Sequence, residues 1–358
     1  SLVILSLAVV PRSLLVRDLR FKAITLVKVA SGLSTGLVTV TLALAGHGVW
    51  ALVAGGLVGP ALETIGYHLV LRAPPRFGLA FASLRPHFRF GAGIMLQRLV
   101  WLAYMKADIF VVGRLFDTRT TGIYAIGREL SMLPLDRIGA ALNQVVLSGF
   151  ARIKDDRAVV ADLFRRGIGL MCLAAFPVFF GISAVAAPLV AVVLGPSWMD
   201  AAAVIALLAL GGPPRLFNTV AVEILNALGA VRTNLWQITL TGALVVTGLF
   251  TGVQWGLVGL CAGWLAGYLA GTALHLGVLL RRIGVPASVP TRAALRPLLG
   301  CLAMYAAVVA TLAAPLARPP VAGLLVGVAA GVAVYAGWAL LGMRAELNEA
   351  RAALRGSR

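Results

Sequence analysis

Arg98, Lys106 and Asp108 fall inside the run FGAGIMLQRLVWLAYMKADIFVVGR, which is otherwise apolar enough for the middle of a membrane helix. A charged side chain at a helix centre costs about 2.5–3.5 kcal/mol on insertion scales, so something polar must face these three. The next apolar stretch repeats the pattern. Glu129, Asp136 and Asn143 recur at every seventh residue and share one helical face at 100° per residue, with Arg128, Arg137 and Gln144 one step to either side. Facing lipid, that polar arc would be prohibitive, so it must point into a bundle.

Two kinds of chemistry fit these residue types. Arg98, Lys106, Asp108, Glu129, Asp136 and Arg137 can pair across helices and fix packing. Alternatively they line a hydrated cavity. Arg98, Lys106, Arg128 and Arg137 would then hold phosphate, because the planar guanidinium fork donates in pairs. Asn143 and Gln144 would bind hydroxyl groups, and Asp108, Glu129 and Asp136 would serve a coupling cation or ion pairs. Over residues 91–148 six basic residues meet four acidic ones, and that slight excess does not choose between the two.

The elements that must position these residues follow from composition. Of 358 residues 60% are hydrophobic and 12% charged, with a mean hydropathy of +0.95. Soluble domains carry about 25% charged residues, so this is an integral membrane protein. Apolar tracts at about 23–45, 48–71, 91–115, 122–148, 167–192, 201–227, 235–254, 256–280, 298–316 and 320–342 predict ten spans. They lack the short period-two segments of a barrel, so the expected class is all-α, a polytopic transmembrane helical bundle.

The formal net charge of +18 is a topology signal. Twenty-two of the 31 Lys and Arg lie in alternate connections (11–22, 72–90, 149–166, 228–234, 281–297 and the tail 343–358), against two, Arg119 and Arg318, in the others. The positive-inside rule makes the first set cytoplasmic, and nucleic acid is not needed to explain the charge.

Cys172, Cys261 and Cys301 are odd in number and lack CxxC spacing, and His47, His68, His87 and His275 are scattered. Neither a metal site nor a disulfide framework is expected, no cofactor is implied, and no catalytic signature is present. Gly259, Gly263, Gly267 and Gly271 recur every fourth residue, with GGLVG at 55–59 and GLLVGVAAG at 323–331 repeating the device for close helix packing. Pro134, Pro177, Pro188, Pro213 and Pro214 mark expected kinks. The opening SLVILSLAVV has no Met and no basic leader and is too short to span, so it is expected to be the end of a helix of a longer protein. RAPPRFGLAFASLRPHFRF at 72–90 suits an interfacial cytoplasmic segment joining two lobes.

The ordered series PRSLLVRDLRFKAIT, GHGVWALVAG, FRFGAGIMLQRL, DIFVVGRLFDTRTTGIYAIGREL, LPLDRIGAALNQVVLSGFARIKDD and VVLGPSWMDAA resembles the polysaccharide (O-antigen and exopolysaccharide) flippases of the multidrug/oligosaccharidyl-lipid/polysaccharide exporter superfamily. The likeness runs from residue 1 to about 280 and more weakly beyond. It implies a two-lobe exporter fold truncated at its amino end. Residues 1–71 would be the C-terminal part of the N-lobe, 72–90 the cytoplasmic inter-lobe linker, 91–280 a C-lobe of six helices, 281–342 an additional helix pair and 343–358 a cytoplasmic tail. It further implies a bacterial inner-membrane transporter that is not an enzyme and works by alternating access. The cargo would be an undecaprenyl-diphosphate-type lipid-linked oligosaccharide, with other polysaccharide assembly proteins as partners. A multidrug exporter would favour an acidic, aromatic cavity. A glycan polymerase or acyltransferase would need a large outer loop, and the outer connections here are only a few residues long.

Overall fold

A computed structural model describes residues 2–18, 20–71, 81–150, 157–314 and 319–343; for 2–3, 81–87, 89–90, 136–150, 157–163 and 166 it describes the backbone alone. Among the described residues there are thirteen α-helices and two 3-10 turns and no strand. A helix satisfies its own backbone N–H and C=O groups, which apolar surroundings demand. The residues fall into two compact units, 1–84 and 85–358.

The first unit contains α1 (Leu2–Arg17), α2 (Phe21–Leu44) and α3 (Val49–Leu71). Gly55 and Gly59 of α3 are buried, and a Cβ on either would overlap a threonine of α2, Thr39 and Thr35 respectively. The close approach lets Ser31 Oγ donate to the Gly59 carbonyl at 2.9 Å. Thr64 ties α3 to α1 through a 3.0 Å bond to the Ile4 carbonyl, above a small core of Ala8, Leu15, Ile24 and Tyr67.

The second unit holds α4 (Phe81–Leu115), α5 (Thr118–Phe150), α6 (Arg157–Ala184), α7 (Ala186–Val193), α8 (Ala201–Ala209), α9 (Gly212–Ala227), α10 (Val231–Gly252), α11 (Gly256–Ile283), α12 (Ser288–Ala313) and α13 (Pro320–Gly342). Its two main cores are aromatic-rich. One gathers Phe164, Phe179, Ile224 and Leu279, the other Tyr104, Tyr124, Leu208 and Trp264. The three cysteines are free and buried within them.

Glycine sets the tightest contact. A Cβ on Gly263 would collide with the Gly248 carbonyl, one on Gly252 with the Gly259 carbonyl, and one on Gly267 with the Leu244 carbonyl. The expected small-residue stripe of α11 therefore lies directly on α10, with van der Waals packing supplying the attraction that lipid removes from the hydrophobic effect. Gly327 and Gly331 of α13 face the side chain of Val308 of α12 more loosely, where a Cβ would stand 3.7 and 3.2 Å from it.

Several sequence expectations need correction. The tract expected to run through 167–192 breaks at Val185, between α6 and α7. The tract at 201–227 bends by 41° between α8 and α9. There Pro213 and Pro214 occupy the first turn of α9, where a missing N–H costs least, so they begin a helix instead of kinking one. The basic stretch 281–297 is largely helical, with Arg281 and Arg282 in the last turn of α11 and Arg292 and Arg296 on α12.

Residues 81–90, expected within an interfacial linker, form the start of α4, while 72–80 lie outside the described residues. Among the described residues six stretches are long and apolar enough to cross a membrane, or seven with the bent α8–α9 pair. Ten are not reached by that measure because α10 and α11 count as the single tract Val231–Ile283 and the charged α4 and α5 are not among them.

Two tests follow from the packing and capping. Gly263→Leu should destabilise the purified protein by about 1–3 kcal/mol, the usual cost of overpacking. Gly277→Ala, where a Cβ meets no atom within 4 Å, should leave its unfolding temperature in detergent unchanged or slightly raised. In the connection before α5, Asp117 Oδ1 accepts from the Thr120 N–H at 3.2 Å, and bonds from Thr120 hold its carboxyl below the usual carboxylate range. Because the folded value is the lower one, the cap's contribution is present above the ordinary carboxylate pKa and is lost as pH falls through the folded value. The unfolding temperature of Asp117→Ala should lie below the parent's at neutral pH and coincide with it under strongly acidic conditions.

Candidate functional site

Two arrangements of polar side chains meet on α4. The first is sealed. Asp108 is 1% exposed and its carboxylate accepts from Arg128 Nε of α5 at 2.5 Å and from the Tyr124 hydroxyl at 2.9 Å. Arg128 Nη2 donates to the Met105 carbonyl at 2.8 Å, and the Ile109 N–H closes the other carboxylate oxygen at 2.7 Å. The spacing explains the meeting, since Tyr124 and Arg128 are one turn apart on α5, as Met105 and Asp108 nearly are on α4. Both oxygens of the Asp108 carboxylate accept hydrogen bonds inside the protein, as burial of charge requires.

The second arrangement is open. A cavity of about 530 Å³ lies among α4, α9, α10 and α11. From α4 it takes Gln97, Arg98 and Trp101, three positions on one helical face, and from α9 Asn218, Glu223 and Asn226, the first and last two turns apart. Tyr104 and Tyr268 complete its aromatic wall.

Amide bonds hold these walls. Asn234 Nδ2 of α10 donates to Gln97 Oε1 at 3.1 Å and Asn226 Oδ1 at 3.0 Å, while Gln97 Nε2 donates to the Val231 carbonyl at 2.8 Å. Asn218 Nδ2 donates to the Tyr268 hydroxyl at 3.2 Å, and the Nδ1–H of His275 donates to Asn218 Oδ1 at 2.5 Å. Buried amides joined in this way rigidify the helices that carry them.

The expected site residues thus separate. Arg98 is exposed and lines the cavity. Arg128 and Asp108 form the sealed pair, so Arg128 faces α4 and not the cavity. Lys106 and Glu129 are exposed and have no ion partner among the described residues. Asp136, Arg137, Asn143 and Gln144 lie on the part of α5 whose side chains are outside the description.

Gln97, Trp101, Asn218, Glu223, Asn226 and Tyr268 were not anticipated. Asn218 and Asn226 were detectable as polar residues eight apart in an apolar tract, a weak signal beside a formal charge.

Residues 1–203 match the family described as polysaccharide biosynthesis protein. The chain belongs to that family. This family member is 26% identical over 198 residues to the succinoglycan biosynthesis transport protein ExoT of Rhizobium meliloti (strain 1021), covering 55% of the chain and 40% of ExoT. It is 25% identical over 203 residues to the lipopolysaccharide biosynthesis protein WzxC of Escherichia coli (strain K12), covering 56% of the chain and 41% of WzxC. The matches thus span about two fifths of those relatives' lengths.

The fold is similar to that of the lipid II flippase MurJ in an inward closed conformation, with a TM-score of 0.64 at 13% identity over 88% of this chain and 67% of that one. This member of the polysaccharide biosynthesis protein family is therefore a multi-pass helical membrane protein whose helical arrangement is similar to that of MurJ. Half of the cavity, from Asn218 onward, lies beyond the stretch that carries the family match.

Removing one member of the sealed pair strands the other. Arg128→Ala and Asp108→Ala are each expected to cost about 3–5 kcal/mol, while the double change Asp108→Leu with Arg128→Met should recover most of that loss. Thermal unfolding of the four proteins in one detergent checks the pattern.

Proposed function

We propose that the protein is a flippase that moves polyprenyl-diphosphate-linked oligosaccharide units across the bacterial inner membrane by alternating access. The observation that carries this reading is the cavity in which Arg98 stands beside amides, a carboxylate and aromatic rings. Arg98 can hold a diphosphate through charge-assisted bonds. Gln97, Asn218, Asn226 and Glu223 supply donors and acceptors for sugar hydroxyls, and Trp101 offers a flat apolar face for a pyranose ring. Nothing in such a step requires a bond to be made or broken in the cargo, so the protein acts as a transporter rather than a catalyst.

The names of the relatives support the same class, since ExoT is a transport protein of succinoglycan biosynthesis and WzxC acts in lipopolysaccharide biosynthesis. The carrier lipid is taken as undecaprenyl diphosphate. The basic ends of the helices are taken to face the cytoplasm, and residues 72–90 are taken as the linker between the two lobes. Lys106 and Glu129 are assigned to the surface along which the headgroup travels, Lys106 to phosphate and Glu129 to a coupling cation. Proteins that polymerise or export the repeat units would receive the flipped product.

Arg98→Ala should slow flipping by about tenfold or more in bacteria that depend on the protein, since one hydrogen bond to a charged group is worth ~1.5–3 kcal/mol. Lipid-linked repeat units should then accumulate on the cytoplasmic face and surface polymer should fall, with Arg98→Lys intermediate. Normal surface polymer in Arg98→Ala, at normal protein level, would remove Arg98 from the cargo site.

A further inference from the structure

Behind the wall of the cavity lies a histidine that does not touch it. His275 of α11 is fully buried and stands outside the cavity lining, whereas Asn218 of α9 and Tyr268 of α11 belong to it. Tyr268 and His275 are seven residues apart, share one face of α11 and hold Asn218 between them. Nδ1 of His275 lies 2.5 Å from Asn218 Oδ1, and the buried Nε2 has no partner among the described residues. A neutral imidazole carries one N–H and one bare acceptor nitrogen. A buried N–H without an acceptor is the rarer defect, so the proton sits on Nδ1, where Asn218 accepts it. That tautomer fixes the amide. Asn218 Oδ1 is occupied by His275, and Nδ2 points the other way, giving one hydrogen to the Tyr268 hydroxyl at 3.2 Å and keeping the second for the cavity. Tyr268 is itself held by stacking on Trp264, with ring centroids 5.3 Å apart and planes inclined by 20°. Having accepted from Asn218, the Tyr268 hydroxyl retains its own proton, and the Tyr104 hydroxyl on the same wall has no partner among the described residues. This part of the wall therefore offers donors.

We propose that His275 is a positioning residue for the cargo site: it holds the Asn218 amide so that its N–H, and not its carbonyl, meets an acceptor oxygen of the headgroup. The inference rests on the reading of this cavity as the cargo site. The acceptor is an oxygen with no proton to give, on the diphosphate or on an acyl carbonyl of the sugar, because N–H and O–H groups match such an oxygen at every contact. Without the imidazole, Asn218 Oδ1 loses its donor, and the amide can turn over and present its carbonyl to that same oxygen.

Dissociation constants of two probes, undecaprenyl diphosphate and undecaprenyl-diphosphate-linked N-acetylglucosamine, measured on the purified full chain in detergent, test this. The parent should bind both. His275→Phe should weaken binding by about threefold to tenfold, the worth of one neutral hydrogen bond. His275→Asn, whose amide N–H stands close to where the imidazole Nδ1–H does, should bind as the parent does. Weakening for both probes places the acceptor on the diphosphate; weakening for the sugar-bearing probe alone places it on the sugar. Because His275 acts through Asn218, adding His275→Phe to Asn218→Leu should cause no further loss. His275→Leu takes the place of His275→Phe if the latter fails to fold. Parent affinity in His275→Phe, a further loss in the Asn218→Leu background, or no gain of His275→Asn over His275→Phe would overturn the positioning role and leave the cargo cavity in place. A parent that binds neither probe would instead remove the transport reading, and this inference with it.

Discussion

An ionised side chain in a low-dielectric environment must be neutralised by a partner or kept in water, and the second unit is arranged around that requirement. Asp108 meets it by pairing. Arg128, the Tyr124 hydroxyl and the Ile109 N–H bond its carboxylate, and Arg128 also donates to the Met105 carbonyl, so α4 and α5 are locked in one register. Arg98, ten residues earlier on α4, meets it by opening onto a cavity. One helix therefore carries both a structural charge and a charge that opens onto a cavity, and the sealed pair holds still the element that presents Arg98.

The cavity exists because neighbouring helices are discontinuous while others are pressed together. The α8–α9 bend at Gly211 and Gly212 turns the face of α9 that bears Asn218, Glu223 and Asn226 toward α4. Neither glycine could be larger, since a Cβ at Gly211 would press on Trp264 and one at Gly212 on Phe179. On the other side the glycine contact of α10 with α11 fixes Ile238 and Tyr268 as a single wall. Small residues thus determine where large and polar ones stand, which is the reverse of a soluble core, where bulky side chains fill the space between elements.

Much of this could be read in the sequence, and the parts that could not share a physical reason. Long apolar tracts gave helices, four-residue glycine spacing marked the faces that pack, and formal charge drew attention to Arg98, Asp108 and Arg128. Pairing was not resolved, because Asp108 and Arg128 are 20 residues apart and their meeting depends on the crossing of two helices. Gln97 and the Val231 carbonyl are 134 residues apart, and neutral amides stand out little in a hydropathy trace. Helix breaks at Val185 and between α8 and α9 were hidden because apolar composition continues across them. The basic stretch 281–297 read as a loop, since charge and proline there obscured helical periodicity.

The central claim is that the Arg98 cavity is hydrated and open to a polar headgroup. Single cysteines at Thr219 and Glu223, which line it, can be compared with one at Leu269, an exposed apolar position of α11, in intact membranes, since the native cysteines are buried. Labelling with a small charged thiol reagent should be rapid at Thr219→Cys and Glu223→Cys and slow at Leu269→Cys, and added lipid-linked oligosaccharide should protect the first two. If both cavity positions react as slowly as Leu269→Cys, the cavity is dry and the transport account is wrong.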